Sequence, residues 1–159
     1  MKLKICVLLL SLILLSGHIS AQENNIFGKY IPEINGWTGS ELIESVIDIG
    51  NSKLVTLVKT YSKEKSSITF TLSCGKKDFV TAGNSIDLSD YEKTILDDFE
   101  AFKIQISGTG SIYLKILEKD DLKGEVLIAY LDISGSTIEE LLSEFDFKGM
   151  YIELIKLFR

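Results

Sequence analysis

Apolar and polar residues alternate over much of residues 99–133, and this alternation predicts three consecutive antiparallel strands. A period of two places successive side chains on opposite faces, which is typical of a strand with one buried face. The glycines within residues 108–110 suit a tight reversal between the first two strands. Residues 126–131 are almost continuously apolar and predict a central strand covered on both faces, although a buried helix could carry the same run. The predicted buried sets of the first two strands are Phe102, Ile104 and Ile106, then Ile112, Leu114 and Ile116.

Two earlier segments, residues 53–61 and 67–74, predict a hairpin with a short polar turn between them. In the second segment, hydroxyl residues alternate with apolar ones, and the alternation places Cys74 on the buried face as a small core residue. Residues 91–96 predict a further short strand. The polar residues between 75 and 90 predict a surface loop.

The first part of the chain after residue 21 has a less regular pattern. Residues 40–49 fit two structures, since their apolar positions have helical spacing while residues 45–49 equally fit a strand. We favour the short helix or turn. Residues 22–37 have no regular period but contain several large apolar side chains, so we expect an extended segment packed against the body of the domain.

Helical spacing is clear at the C-terminus, where Ile138, Leu141, Leu142 and Phe145 form one apolar stripe. Thr137, with Glu140 three residues later, matches the capping box at the start of this helix. Asp146 predicts the start of a second helix that runs through Leu157. The pattern therefore predicts an α+β fold, in which an antiparallel sheet of about five to six strands packs one face against C-terminal helices.

Residues 1–21 have the pattern of a secretory signal peptide. Lys2 and Lys4 precede an apolar run of about eleven residues, and small residues up to Ala21 form the expected cleavage region. The run is shorter than the roughly 20 residues that a membrane-spanning helix needs, which disfavours a retained anchor. We therefore predict export to the periplasm or the extracellular space, leaving one domain, residues 22–159.

The charge of the mature domain disfavours some partners, and its cysteine content excludes an internal disulfide. Loss of Lys2 and Lys4 lowers the 17 basic residues to 15 against 23 acidic ones, a formal charge of −8. Such a protein repels nucleic acid and anionic lipid head groups, so we expect no nucleic acid partner and no stable membrane insertion after cleavage. Cys74 remains as a single thiol, so the fold depends on its core and not on an internal disulfide.

Few residues of the mature domain are suited to catalysis. The one histidine, His18, lies in the predicted signal peptide, which removes histidine-based nucleophile pairs and the usual histidine zinc sites. The acidic pairs at 97–98 and 120–121 lie at predicted turns; they could bind calcium, but neither has the alternating-ligand loop of a known calcium motif. We predict no cofactor and no metal site. Carboxylates are the acid–base groups that remain. The sequence leaves enzymatic activity undecided and favours a protein without it.

Aromatic side chains are the remaining candidates for a binding site. Trp37, Tyr61, Tyr113 and Tyr130 are predicted to lie away from the main core face, and Lys59 and Lys115 share faces with two of them. If helices cover one side of the sheet, these aromatics could line a shallow groove for a hydrophobic ligand or for an envelope protein. The alternative is that they pack across strands and beneath the N-terminal segment.

The order of several short segments is similar to that of small secreted bacterial α+β proteins of unknown function. These segments are residues 32–37 (PEINGW), 91–93 (YEK), 98–102 (DFEAF) and 145–146 (FD). The resemblance implies an exported α+β domain and transfers no catalytic residue. Together with the patterns above, it favours a non-enzymatic binding or accessory module of the cell envelope that acts through a sheet face or groove. A carboxylate-dependent hydrolase and a self-associating structural protein are the alternatives, and the oligomeric state is left open.

Overall fold

The structure, a computed structural model, describes residues 26–80 and 86–159, so the predicted signal peptide, residues 1–21, lies outside the described residues. Within them, eight strands form one antiparallel sheet and two helices follow. The strands are β1 (Thr38–Gly39), β2 (Ile43–Ile49), β3 (Ser52–Lys63), β4 (Ser66–Lys76), β5 (Glu92–Leu96), β6 (Phe99–Ile106), β7 (Thr109–Lys119) and β8 (Leu122–Leu131). The helices are α1 (Gly135–Leu142) and α2 (Phe147–Leu157). The α+β class with C-terminal helices is confirmed, but the sheet has more strands than the five to six predicted.

The two additional strands, β1 and β2, account for the difference in strand number. Both pair with β3 and therefore share one edge of the sheet, which continues in the order β3, β4, β8, β7, β6 and β5. The preference for a short helix or turn in residues 40–49 was wrong, because Ile43–Ile49 pairs residue by residue with β3. The local pattern of residues 43–49 fits either a helix or a strand, and pairing with the free edge of β3 stabilises the strand.

Two antiparallel runs of strands meet in the middle of the sheet. The strands β2, β3 and β4 form one run and β5 to β8 form the other, and β4 pairs with β8 from Ser67↔Leu131 to Lys76↔Leu122. This pairing confirms that residues 126–131 belong to a central strand. The expected cover on both faces was wrong, because Ala129 and Leu131 on the outer face are exposed. The tight turn predicted at residues 108–110 lies one residue earlier, where Ser107 and Gly108 adopt positive φ angles of 51° and 79°. Left-handed backbone at both positions matches the twist of a two-residue hairpin.

Both helices pack against the same side of the sheet, which we call the inner face; the opposite side is the outer face. One apolar core joins inner-face residues of the strands with Ile138 and Leu142 of α1 and with Met150 and Leu154 of α2. Burial of such side chains stabilises a domain by roughly 1.5–3 kcal/mol each. The strand contribution is Val55, Leu57, Tyr61, Ile68, Phe70, Leu72, Cys74, Ala101, Ile112, Leu114, Ile116, Leu117, Val126, Ile128 and Tyr130.

The starts of the helices agree only partly with the capping signals in the sequence. The side chain of Asp146 accepts a hydrogen bond from the Gly149 amide at 2.7 Å and caps α2 as predicted. The cap of α1 is Ser134, whose hydroxyl accepts from the Thr137 amide, so the capping box predicted at Thr137 was wrong. After β8 ends at Leu131, the backbone is still extended at Ser134, and the first helical turn begins directly after it. Ser134 therefore occupies the N-cap position, and Thr137 lies within the first turn.

The apolar alternation of β6 faces the opposite way from the prediction. The register sets Ala101 opposite Leu114 and Lys103 opposite Ile112, so Phe102, Ile104 and Ile106 lie on the outer face. Lys103 lies on the inner face beside α1, where its ammonium binds the Glu139 carboxylate. Beside Lys103, α1 therefore presents a carboxylate and not an apolar side chain, and Phe102, Ile104 and Ile106 of β6 face away from the core.

The residues before β1 pack on the inner face, which confirms the expected packing for the described part of residues 22–37. The segment is not extended throughout, because Gly28–Tyr30 forms a short 3-10 helix and the Trp37 amide donates to the Ile34 carbonyl in a turn. We call residues 26–37 the N-terminal strap. Phe27, Ile31 and Ile34 are buried in the core, and the Tyr61 hydroxyl donates a hydrogen bond of 2.7 Å to the Pro32 carbonyl. The amide of Asp146 donates to the Tyr30 carbonyl. The strap and the two helices together cover the inner face.

Candidate functional site

The outer face of β2, β3 and β4 carries no charged side chain between its ends. We call this surface the uncharged half-face: Ile43, Ser45, Ile47 and Ile49 on β2; Leu54, Thr56, Val58 and Thr60 on β3; Thr69, Thr71 and Ser73 on β4. Hydroxyl side chains occupy its centre, and isoleucines line the β2 edge. Ile43 is 64% exposed, and Ile47 and Ile49 are also exposed. Neither α1 nor α2 packs on this surface, since both bury their apolar residues on the inner face.

The other half of the outer face is charged and partly covered. The chain leaves β4 at the end of the sheet near the β7–β8 turn and starts β5 at the opposite end, so the connection must cross the sheet. The last residue of the connection lies on the outer face, because the hydroxyl of Tyr91 is 3.1 Å from that of outer-face Ser111. Val80, in the same connection, is buried but does not belong to the main core. In its described part, residues 77–80 and 86–91, the predicted loop therefore includes side chains that pack against the domain.

A polar cluster on the outer faces of β7 and β8 belongs to this charged half. The Tyr113 hydroxyl donates a hydrogen bond to the Glu125 carboxylate, which also pairs with Lys123. Tyr113 and Glu125 are both buried. Burial, followed by the hydrogen bond to Glu125, raises the pKa of Tyr113 far above its ordinary value. Nearby, the Lys115 ammonium forms an ion pair with Glu100 at 3.3 Å. The same ammonium lies 5.2 Å from the centre of the Phe102 ring, in a cation–π contact.

The four aromatic residues predicted as binding residues do not lie together. Tyr61 and Tyr130 are buried in the core on the inner face, so the expectation that they lie away from the main core face was wrong. In β3 the odd-numbered residues face the helices, and in β8 the even-numbered residues do. The register places Tyr61 opposite Ile68 and Ile68 opposite Tyr130, so all three lie on the inner face. Tyr113 is on the outer face within the polar cluster. Trp37 is partly buried at the rim of the sheet and packs against the core from the strap.

Two shallow cavities lie beside the strap, at opposite ends of it. Trp37 borders the first, of about 240 Å³, together with Lys63 and Asp132. The second, of about 540 Å³, is bordered by Pro32, Glu33 and Lys59 among others. The Lys59 ammonium lies 2.6 Å from the Glu33 carboxylate and 5.2 Å from the centre of the Tyr61 ring. These contacts satisfy the buried lysine and hold the strap on the sheet.

The signal for the uncharged half-face is present in the sequence but was missed. Outer-face positions alternate with core positions along residues 43–75, and every one of the former is aliphatic, hydroxyl or glycine. An interpretation that concentrated on aromatic residues overlooked this absence of charge. The register was also needed, because only pairing of β2 with β3 places Ile43, Ile47 and Ile49 beside the hydroxyl residues.

Within residues 26–80 and 86–159, no group of three or more histidine, cysteine, aspartate and glutamate side chains is arranged to hold a metal ion. In the same part of the chain, neither helix has the length and apolar character required to cross a bilayer. No protein-family model, curated protein or solved structure matches the chain.

Proposed function

We propose that the protein is an exported, non-enzymatic binding module of the cell envelope and that it binds another protein through the uncharged half-face. The observation that carries this proposal is the contrast between that surface and the rest of the chain. A quarter of all residues are charged, yet the outer face of three adjacent strands has none. Solvated sheet faces are normally polar and mixed in charge, and contiguous exposed apolar surface is typical of interaction sites.

The shape of the surface favours a protein partner over a small hydrophobic ligand. Small molecules bind in concave sites that cover most of their surface. The uncharged half-face is instead an extended sheet surface, and the two cavities beside the strap lie elsewhere. The absence of charge also favours a partner surface without charge, since a desolvated ion would have no counter-ion here.

Export is part of the same proposal and rests on the pattern of residues 1–21. A secretory signal removed after Ala21 would deliver a chain starting at Gln22 to the envelope. Mass spectrometry of the protein released from cells by osmotic shock tests this step. A released chain that begins at Met1 would contradict it.

A photo-crosslinking amino acid at Thr71, in the centre of the uncharged half-face, tests the proposed binding surface in cells. We expect a discrete protein adduct at Thr71 and none at Thr94 on the far edge of the sheet.

The same crosslinking in disrupted cells allows a competition experiment. Added purified wild-type protein should suppress the Thr71 adduct. Added Thr71→Glu protein should not suppress it, because its carboxylate would be desolvated at the contact. Equal adducts at the two positions, or none at Thr71, would overturn the proposal.

The carboxylate-dependent hydrolase has one observation in its favour. Glu44 lies on the inner face of β2, and burial raises the pKa of its carboxyl group. The amides of Phe27 and Ile26 donate to this carboxylate and partly offset the effect of burial, so the described partners of Glu44 are backbone groups of the strap. Two-carboxylate hydrolysis needs a second acidic group across a substrate cleft. Binding through the uncharged half-face is therefore the better supported function.

A further inference from the structure

The two edges of the sheet differ in how they are protected against pairing with another strand. β5 is short, begins with Glu92 and Lys93, and forms an ion pair from Lys93 to Glu100 on the neighbouring strand. Short length and exposed charge are the usual protections of an edge. β2 is longer and has neither lysine nor proline, and its two acids, Glu44 and Asp48, both lie on the inner face. It pairs with β3 without interruption, and no other strand of the described residues pairs with its far side.

β2 also presents aliphatic side chains on both faces. Ile43, Ile47 and Ile49 are exposed on the outer face, and Val46 is exposed on the inner face. A strand of this kind offers unpaired backbone groups together with apolar surface that a further strand would cover. We propose that β2 pairs antiparallel with β2 of a second copy of this chain, across a two-fold axis at Ser45.

Charge selects the register of this pairing. Glu44 and Asp48 both lie on the inner face of β2, and an axis at Val46 would set Glu44 directly opposite Asp48 of the second copy. Like charges directly opposite each other destabilise a strand pair. An axis at Ser45 instead sets Glu44 opposite Val46 and pairs Ile43 with Ile47 of the second copy, twice. Asp48 keeps its own counter-ion, since its carboxylate lies 2.7 Å from the Lys53 ammonium.

A second copy suits this edge better than an unrelated strand, because the two-fold axis keeps both outer faces on the same side. The uncharged half-faces of the two copies then join into one continuous surface with the Ile43–Ile47 pairs at its centre. A seven-residue edge is only about 23 Å long, so the interface is small and the dimer is weak and concentration-dependent.

Disulfide crosslinking tests the register. At an axis through Ser45, the two Ser45 Cβ atoms would be roughly 4.5–5.5 Å apart, close to the separation that a disulfide bridges. We expect Ser45→Cys to form a disulfide-linked dimer on mild oxidation, with several times the yield of Val46→Cys or of Ile95→Cys on the opposite edge. The wild type is the control for Cys74, which is buried. A yield at Ser45→Cys no higher than at either other position would overturn the proposed register.

Sedimentation equilibrium tests the dimer itself. We expect the wild-type mass to rise towards that of a dimer as concentration increases, and Ile47→Lys to stay monomeric at the same concentrations. Ile95→Lys is the matched control on β5 and should behave as the wild type, with circular dichroism confirming that both variants fold. A wild type that stays monomeric at millimolar concentration, or an Ile47→Lys variant that dimerises equally, would refute pairing at β2. Neither result depends on the adduct at Thr71 that tests the proposed function.

Discussion

Lys59 lies on the inner face of β3, at a position where the alternation of the strand is otherwise apolar. It is only 4% exposed, whereas its partner Glu33 is largely exposed on the strap. Desolvation of an ammonium costs free energy that an exposed carboxylate only partly offsets. The pair therefore positions the strap more than it stabilises the fold, and the two partners should respond differently to substitution.

Glu33→Gln is expected to lower the free energy of unfolding by about 1–2 kcal/mol, because it leaves the buried ammonium without its counter-ion. Lys59→Met keeps the length of the side chain and removes the desolvated charge, so it should change stability by less than about 1 kcal/mol. The double variant should resemble Lys59→Met. Urea denaturation of the three variants measures these differences, and a larger loss for Lys59→Met than for Glu33→Gln would contradict the interpretation.

At the scale of elements, the hairpin turns depend on residues other than glycine in left-handed conformation. Among the described residues, those other than glycine with positive φ are Glu64, Asp97, Asp98, Ser107, Asp120 and Asp132. Aspartate tolerates this region better than most residues, whereas glutamate has no such compensation. Glu64, in the turn between β3 and β4 with a φ of 54°, is therefore the least favourable of these positions.

Glu64→Gly should increase the stability of the protein by about 0.5–1 kcal/mol, since glycine adopts positive φ without steric cost. Lys65→Gly is the matched control, because Lys65 is in the same turn but is not among the positive-φ residues. It should be destabilising, owing to the added conformational freedom of the unfolded chain. Thermal unfolding of both variants separates the two effects, and equal changes in melting temperature would contradict the assignment of strain to Glu64.

Prediction of elements from the sequence succeeded where the pattern is local. The hairpin of β3 and β4, the strand β5, the meander of β6 to β8 and both helices follow from periodicity, and capping at Asp146 marks the start of α2. The errors arose where two segments compete or where a face must be chosen. Residues 43–49 are a strand because β3 has a free edge, and Phe102, Ile104 and Ile106 face outward because the register of β6 with β7 sets Ala101 opposite Leu114.

At the scale of the whole molecule, coverage of the sheet is unequal on its two faces. Within the described residues, the strap and both helices cover the inner face and Tyr91 of the β4–β5 connection contacts the outer face, while the isoleucines of the uncharged half-face are exposed. The layers also bury ionisable groups. Burial raises the pKa of the Cys74 thiol to about 12 and raises the pKa of the Tyr61 and Tyr113 hydroxyls far above their ordinary values.

These raised pKa values predict that stability falls at alkaline pH. A thiol or phenol that stays neutral in the folded protein ionises at its ordinary pKa once unfolded, so its contribution is complete at neutral pH and is lost as pH rises towards the folded pKa. Cys74→Ala isolates one group: the stability difference between wild type and variant should shrink by about 1 kcal/mol between pH 9 and pH 10. Urea denaturation at both pH values measures it, and a constant difference would contradict a buried, neutral thiol.

By itself, the sequence determined the fold class, the principal strands and both helices, because side-chain periodicity acts over a few residues. It also contained the uncharged outer positions of residues 43–75. Only the tertiary structure decided that β2 is an edge strand, that Tyr61 and Tyr130 are core residues, and that Ser134 and not Thr137 caps the first helix. Those outcomes depend on register between distant strands and on how the chain leaves β8, and no local pattern specifies either.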